Sequence, residues 1–233
     1  LSLPGNIAAT KEIIKLSEID IVHAHSRAPA WPSYYAARKT KTPFVTTYHG
    51  IYNANNTIKR GYNAIMTRSD VVIANSNYTR NHIIKEHGIS PDKIAVLPRG
   101  VDMDVFDPAK VSASDISALR SKWGLGQGQI CLLLPGRLTR WKGQLVAIKA
   151  LSELPDNCKL ILLGDAQGRT DYETELISLA RELGIEARVK LPGHFTNMPL
   201  ALAASDLVVS ASTDPEAFGL IAAEAQAMMK PVV

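Results

Sequence analysis

The 233 residues leave room for one large domain or for two domains of about 100 to 120 residues. Hydrophobic residues make up 46% of the chain and charged residues 21%, as in a globular protein, and no basic tract typical of a nucleic-acid-binding protein occurs. No stretch of about 18 apolar residues is present, so the sequence predicts no membrane-spanning helix.

The net charge of +4 comes from the first half of the chain. Residues 1–107 contain 13 Lys and Arg against 9 Asp and Glu, whereas residues 108–233 contain 13 of each. The excess fits either ordinary surface charges or contact with an anionic acceptor or a membrane surface. Cys131 and Cys158 lie in apolar runs, as reduced thiols do, so the predicted location is the cytoplasm.

Short apolar runs alternate with longer amphipathic stretches along the whole chain. The strand-like runs are, in chain order, "IDIVHAH", "PFVTTYH", "DVVIANS", "KIAVLPRG", "QICLLLPGR", "CKLILLG", "ARVKLPG" and "DLVVSAS". Helices are predicted for "NYTRNHIIKEHG", which follows the N-cap residue Ser76 and ends at Gly88, and for "KGQLVAIKALSEL" and "DYETELISLARELG". Such alternation predicts parallel sheets covered by helices on both faces, in an α/β fold.

The polar stretch "RGVDMDVFDPAKVSASD" interrupts the alternation, which then begins again at Ile130. The sequence therefore predicts two doubly wound, Rossmann-like domains, at residues 1–107 and 108–233. Both are expected to be incomplete. Only one helix is predicted before Ile19, and the chain stops at "KPVV", which looks like the start of a strand.

Candidate site residues in the first half are histidines at strand ends. His49 ends the strand "TTYH" just before a glycine, where an imidazole can orient a hydroxyl or accept its proton. A histidine with an ordinary structural role is an equally good interpretation. His23 and His25 lie on one face of a strand, but no third ligand for a metal site is evident nearby.

The second half contains a cationic loop, "LPGRLTRWKGQ", after an apolar strand. Open α/β sheets bind ligands at the carboxyl ends of their strands, and Arg137 and Lys142 offer two cations there for phosphate oxygens. The spacing matches neither a P-loop nor a dinucleotide-binding fingerprint. Arg140 is expected to face solvent.

Two glutamates frame the last predicted helix, in "PEAFGLIAAEAQAM". The free amide groups at a helix start attract anions, and a phosphate would fit against the amides of Phe218 and Gly219. Glu216 would lie just outside the helix that "AFGL" opens. Glu224, eight positions on, would lie on its third turn, toward the same side and at most about 12 Å away. Two carboxylates so far apart suit the two ends of one extended ligand. Alternatively, both are ordinary surface charges.

Taken together, these stretches resemble the retaining glycosyltransferases of family 4, which have the GT-B fold. The stretches that carry the resemblance follow the family order: "VVIANSNYTR", "VLPRGVDMDVF", "GRLTRWKG", "LPGHFTNMPLALAASDLVVSAS" and "PEAFGLIAAEAQAM". Relative to that family, a first strand with its glycine-rich loop and a C-terminal tail are missing. Arg99 stands where the family usually has asparagine.

The resemblance implies a role for each candidate residue. Arg137 and Lys142 would hold the diphosphate of a nucleotide-sugar donor, Glu216 the sugar hydroxyls, and Glu224 the ribose hydroxyls. His49 would contact the transferred sugar near the acceptor, and the backbone of Phe195 would meet the base. The implied catalytic residues are His49, Arg137, Lys142 and Glu216. The implied donor-binding residues are Gly136, Arg137, Lys142, Phe195, Glu216, Ala217, Phe218, Gly219, Leu220 and Glu224.

The family resemblance implies a retaining, metal-independent hexosyltransferase with no cofactor beside its nucleotide-sugar donor. The expected acceptor is a glycan or glycolipid, as in lipopolysaccharide-type cell-envelope synthesis, with peripheral contact at the inner membrane face. Two alternatives stay open: a nucleotide-sugar epimerase of the same fold, and a nucleotide-sugar binding fragment without turnover.

Overall fold

The computed structural model describes residues 2–52, 56–168 and 170–233. The chain divides into two compact units, Leu1–Arg99 and Gly100–Val233. This division lies eight residues before the boundary that the sequence suggested. The described residues contain no helix that combines the length and the apolar character needed to cross a membrane.

The first unit is built on a parallel sheet in which strands follow one another in chain order. The strands are β1 (Val22–Ala24), β2 (Phe44–Tyr48), β3 (Val71–Ala74) and β4 (Ile94–Val96). The helices are α1 (Leu3–Leu16), α2 (Arg27–Thr40), α3 (Thr57–Asn63) and α4 (Asn77–His87). All four strands predicted for this half are therefore present and parallel, as their apolar sequences indicated.

Helix α4 shows how local sequence sets the ends of these elements. The Ser76 hydroxyl accepts a hydrogen bond from the Thr79 amide at 3.1 Å, and Gly88 ends the helix in the left-handed conformation with φ of 64°. Both ends were predicted from the sequence, because serine satisfies a free helix amide and glycine tolerates positive φ.

The second unit has a parallel sheet whose strand order reverses direction. Its order is β7-β6-β5-β8, so the chain first adds strands on one side of β5 and then returns to the other side. Val232 continues that second side through a single parallel bridge to Val208 in β8, as the strand-like "KPVV" predicted. The strands are β5 (Ile130–Pro135), β6 (Cys158–Leu163), β7 (Val189–Gly193) and β8 (Leu207–Val208).

Helices cover both faces of this second sheet. They are α5 (Ala113–Lys122), α6 (Gln144–Ser152), α7 (Thr170–Glu182), α8 (Met198–Ala204) and α9 (Leu220–Ala227). Alternate residues of β5 enter two separate cores: Leu132 and Leu134 pack into one, and Cys131 and Leu133 into the other. A strand buried on both faces has no polar side, which explains the unbroken apolar run "CLLL". Cys131 and Cys158 are both buried and free, as predicted.

Leu133 provides a test of this two-faced core, because it lies in the middle of β5 and is fully buried. We expect Leu133→Ala to lower the free energy of unfolding by about 2–5 kcal/mol through lost packing and a residual cavity. Ile130→Ala, at the 39% exposed start of the same strand, should cost less than about 1 kcal/mol. Urea unfolding followed by fluorescence measures both, and equal losses would contradict the packing described.

Candidate functional site

The reversal of strand order in the second unit brings together the loop that follows β5 and the segment that follows β8. In open parallel sheets, ligands bind outside the carboxyl ends of the strands at such a reversal point. The loop after β5 carries Gly136, Arg137 and Lys142, and the segment after β8 leads to Glu216. The sequence-predicted residues of this half are therefore brought to one edge of one sheet.

Close backbone contacts hold the loop after β5 in place. The Gly136 amide donates to the Leu163 carbonyl at 2.9 Å, and the Leu138 amide to the Asp165 carbonyl at 3.0 Å. Gly164 approaches so closely that a Cβ placed on it would lie 2.1 Å from the Gly136 carbonyl oxygen. The loop is thus tied to the end of β6 without side chains between them.

A buried glutamine supports the same loop from below. Gln144 is fully buried; its amide nitrogen donates to the Arg137 carbonyl at 3.0 Å, and its carbonyl oxygen accepts from the Tyr172 hydroxyl at 3.2 Å. Because a buried polar group without partners is costly, this network favours one conformation of the loop at Arg137. Sequence analysis did not identify Gln144.

A second close approach joins the β5 loop to the segment after β8. Gly143 has φ of 74°, and a Cβ placed on it would lie 1.8 Å from the Ala211 carbonyl oxygen. Beside it, the Thr213 amide donates to the Trp141 carbonyl at 2.8 Å. Only glycine combines this φ with this lack of space, so Gly143 fixes the distance between the two segments.

Lys142 and Glu216 form an ion pair across this junction. The ammonium group contacts the carboxylate oxygen Oε1, and the same oxygen accepts a hydrogen bond from the Ser212 hydroxyl at 2.6 Å. The Lys142 ammonium also lies 4.4 Å from the centroid of the Trp141 ring. The side chains of Lys142 and Glu216 are only 18% and 25% exposed. Sequence analysis identified both charges but not Ser212.

The helix that follows Glu216 begins later than predicted. Gly219, with φ of 73°, precedes the first helical residue, Leu220. Glu216 lies outside the helix, as predicted, but Glu224 lies on its second turn, not its third. Because the left-handed Gly219 separates Glu216 from the helix, helical geometry does not place the two carboxylates on one side. The amides of Phe218 and Gly219 belong to the turn that leads into the helix.

The remaining candidates of this unit occupy different surroundings. Arg137 is exposed, and within the described residues its guanidinium has no hydrogen-bond partner. Arg140, which we expected to face solvent, is 70% exposed and paired with Glu175. The Phe195 ring packs edge-on to Trp123 at 6.4 Å. Ala217, Phe218, Leu220 and Glu224 are half-buried.

In the first unit, three histidines meet at the carboxyl ends of β1 and β2. His25 Nδ1 and His49 Nε2 are 2.8 Å apart, and His23 Nε2 lies 2.7 Å from the Thr47 hydroxyl. The pKa of His49 is lowered, first by partial burial and then by the positive charge of Arg99 and by the neighbouring histidines. Partial burial and His25 also lower the pKa of His23.

The strand pairing explains this cluster. Ala24, the last residue of β1, pairs with Thr46 of β2, so His25 follows beside Thr47, two residues before His49. A sequence without the register cannot show that His25 reaches His49. Across the described ranges, no group of three or more histidine, cysteine, aspartate or glutamate side chains is arranged to hold a metal ion.

Comparison with known proteins identifies the family. A family model described as "Glycosyl transferases group 1" matches residues 115–233, and one described as "Glycosyltransferase Family 4" matches residues 1–105. The chain belongs to the group 1 glycosyltransferases. Its two parallel sheets with interleaved helices are those of the GT-B fold, as predicted.

Individual relatives agree with this family. The crystal structure of a glycosyltransferase from Rickettsia africae ESF-5 is 37% identical, with a TM-score of 0.89 over 99% of this chain and 61% of that one. Anabaena HepE, solved in complex with UDP and glucose, is 32% identical, with a TM-score of 0.87 over 97% of this chain and 61% of that one.

Among curated proteins, a D-inositol 3-phosphate glycosyltransferase from Xylanimonas cellulosilytica is 32% identical, over 99% of this chain and 60% of that relative. The chain thus spans about 60% of the length of the relatives it matches most fully.

The close approach at Gly143 can be tested with a matched glycine. We expect Gly143→Ala to destabilise the second unit by about 3 kcal/mol or more, because strained φ and a backbone clash add. Gly128→Ala is the control: its φ is 76°, but nothing lies within 4 Å of the added carbon, so only the strain of about 1–2 kcal/mol remains. Thermal or urea unfolding of both variants would refute the close approach if their losses were the same.

Proposed function

We propose that the protein containing this chain transfers a sugar from a nucleotide-diphosphate sugar to a glycan or glycolipid acceptor. The observation that carries the proposal is the ion pair of Lys142 and Glu216 at the reversal point of the second sheet. This position is where doubly wound sheets bind nucleotides, and it offers a cation for phosphate beside a carboxylate for sugar hydroxyls.

The family match and the solved complexes support a nucleotide-sugar donor. HepE, at 32% identity, was crystallised with UDP and with UDP-glucose. We therefore propose a donor of this class for the present protein, with UDP as the first nucleotide to test.

In the proposed reaction, negative charge develops on the diphosphate as the sugar leaves. Fixed cations stabilise such charge without needing to reorganise during the reaction. Arg137, whose guanidinium has no partner in the described residues, and Lys142 would supply them. A diphosphate that attracts the Lys142 ammonium would release Glu216, which Ser212 continues to orient, for the hydroxyls of the donor sugar.

The finer features of the proposal rest on the family resemblance. They are retention of anomeric configuration, independence of metal ions, ribose binding by Glu224, base contact by the Phe195 backbone, and sugar contact by His49. Two protein cations at the leaving group are consistent with a reaction that needs no metal. A cytoplasmic location at the inner membrane face and a role in lipopolysaccharide-type synthesis are proposals of the same kind.

Calorimetric titration of the chain with UDP, GDP and ADP tests the donor site directly. We expect one diphosphate to bind best, and Arg137→Ala and Glu224→Ala to weaken it at least tenfold, about 1.4 kcal/mol. Arg140→Ala is the matched control, because it removes a loop cation that is already paired with Glu175, and it should change affinity less than twofold. If Arg140→Ala weakened binding as much as Arg137→Ala, general charge rather than the position of Arg137 would explain the loss.

Turnover is tested on the whole protein with its preferred donor. We expect Lys142→Ala to reduce kcat at least a hundredfold, about 2.7 kcal/mol, because the lost cation acts on the developing charge. Chelation of metal ions should leave the rate unchanged, and the product should keep the anomeric configuration of the donor. An epimerised nucleotide sugar formed without acceptor would instead establish the epimerase alternative.

A further inference from the structure

The contact between His25 and His49 constrains both rings. Their facing nitrogens, Nδ1 of His25 and Nε2 of His49, are 2.8 Å apart, which is hydrogen-bond distance. A hydrogen bond between two imidazole nitrogens needs one proton, so one ring donates and the other accepts. The contact thereby couples the tautomers of the two rings, since a proton on one facing nitrogen requires the other to be bare, and a second proton between them would break the contact.

Both rings lie at the surface, and neighbouring groups order the contact between them. The ring centroids of His25 and His49 are 5.1 Å apart with an angle of 18° between the planes. His23 packs against the other side of His25 at 4.1 Å and is itself anchored at the Thr47 hydroxyl. The Asn75 side-chain amide donates to the His49 carbonyl at 3.3 Å, which fixes the backbone beneath the ring.

We propose that His25 is a positioning residue for His49, holding its Nε2 so that Nδ1 is the ring nitrogen presented to a sugar hydroxyl. The inference rests on the proposed function, in which His49 contacts the transferred sugar. His49 makes the contact with His25 through Nε2. Among the described residues, its second ring nitrogen, Nδ1, has no hydrogen-bond partner. Because His25 occupies one ring nitrogen of His49, the other nitrogen is the one left to contact a substrate hydroxyl.

Charges around His49 favour its neutral form. The charged and titratable groups that act on it are Arg99, His25 and His23, and each of these lowers its pKa, in addition to partial burial. Protonation of both rings would place two N–H donors face to face and break the contact.

The test is imidazole nitrogen NMR of the chain, with no substrate present. Near neutral pH, we expect His25 Nδ1 and His49 Nε2 to be of opposite type, one protonated and one not. Facing nitrogens of the same type, both protonated or both unprotonated, would overturn the proposal.

Three variants test whether His25 positions the His49 ring or only packs against it. His25→Asn keeps an amide near the position of Nδ1, so we expect His49 to keep one tautomer. His25→Ala should return His49 to a mixture of tautomers. His23→Gln removes the neighbouring ring but not the contact, and it should preserve the opposite nitrogen types. A mixture of tautomers at His49 in His23→Gln, as in His25→Ala, would overturn the proposal.

The link to catalysis is read in the whole protein. We expect His25→Ala to lower kcat at least tenfold without changing the donor KM more than twofold, and His25→Asn to restore most of kcat and alter the acid limb of the pH profile. An unchanged kcat and pH profile in His25→Ala, with transfer intact in the wild type, would overturn the positioning role. Absence of transfer in the wild type would instead refute the proposed function, while the nitrogen measurement still decides the contact.

Discussion

The candidate site of the second unit depends on one backbone approach, that of Gly143 to the Ala211 carbonyl. Beside this contact, the Thr213 amide donates to the Trp141 carbonyl, so the backbones of the loop after β5 and the segment after β8 are joined directly. Because no side chain fits between them, the distance between Lys142 and Glu216 is set by the backbone and not by their flexible side chains. The strand-order reversal brings the two segments together, and the glycine sets how closely they meet.

The fixed backbone also determines the surroundings of the Lys142 and Glu216 charges. Lys142 and Glu216 are mostly buried from solvent, and an isolated charge in such a place would be unfavourable. Each therefore serves as the partner of the other until a ligand with its own charges replaces one of them. Ser212 and the Trp141 ring remain as secondary partners, so the site keeps its arrangement when the ion pair exchanges for ligand contacts.

The two units place their candidate groups by the same principle with different side chains. In the first unit the carboxyl ends of β1 and β2 bring histidines together, and in the second the ends of β5 and β8 bring a lysine and a glutamate together. Parallel strands deliver the residues that follow them to one edge, so groups distant in the sequence become neighbours. The His25 and His49 rings are neighbours across 24 residues, and Lys142 and Glu216 across 74.

The sequence by itself determined the eight strands, the α/β class and the ends of α4, because each depends on local pattern and residue type. For the same reason it identified Arg137, Lys142, Glu216 and Glu224 as candidate site residues. It also carried the family resemblance. It placed the start of the last helix wrongly, since a proline followed by an apolar run reads as a helix start whether or not the glycine after it turns left-handed.

Only the tertiary structure decided which of these residues meet. Ser212 joins Glu216, Gln144 supports Arg137, and His25 reaches His49, and none of the three has a sequence signal of its own. Their roles follow from strand register, strand order and the space left beside a glycine. Those are properties of segments far apart in the chain, and a local pattern cannot encode a distance between them.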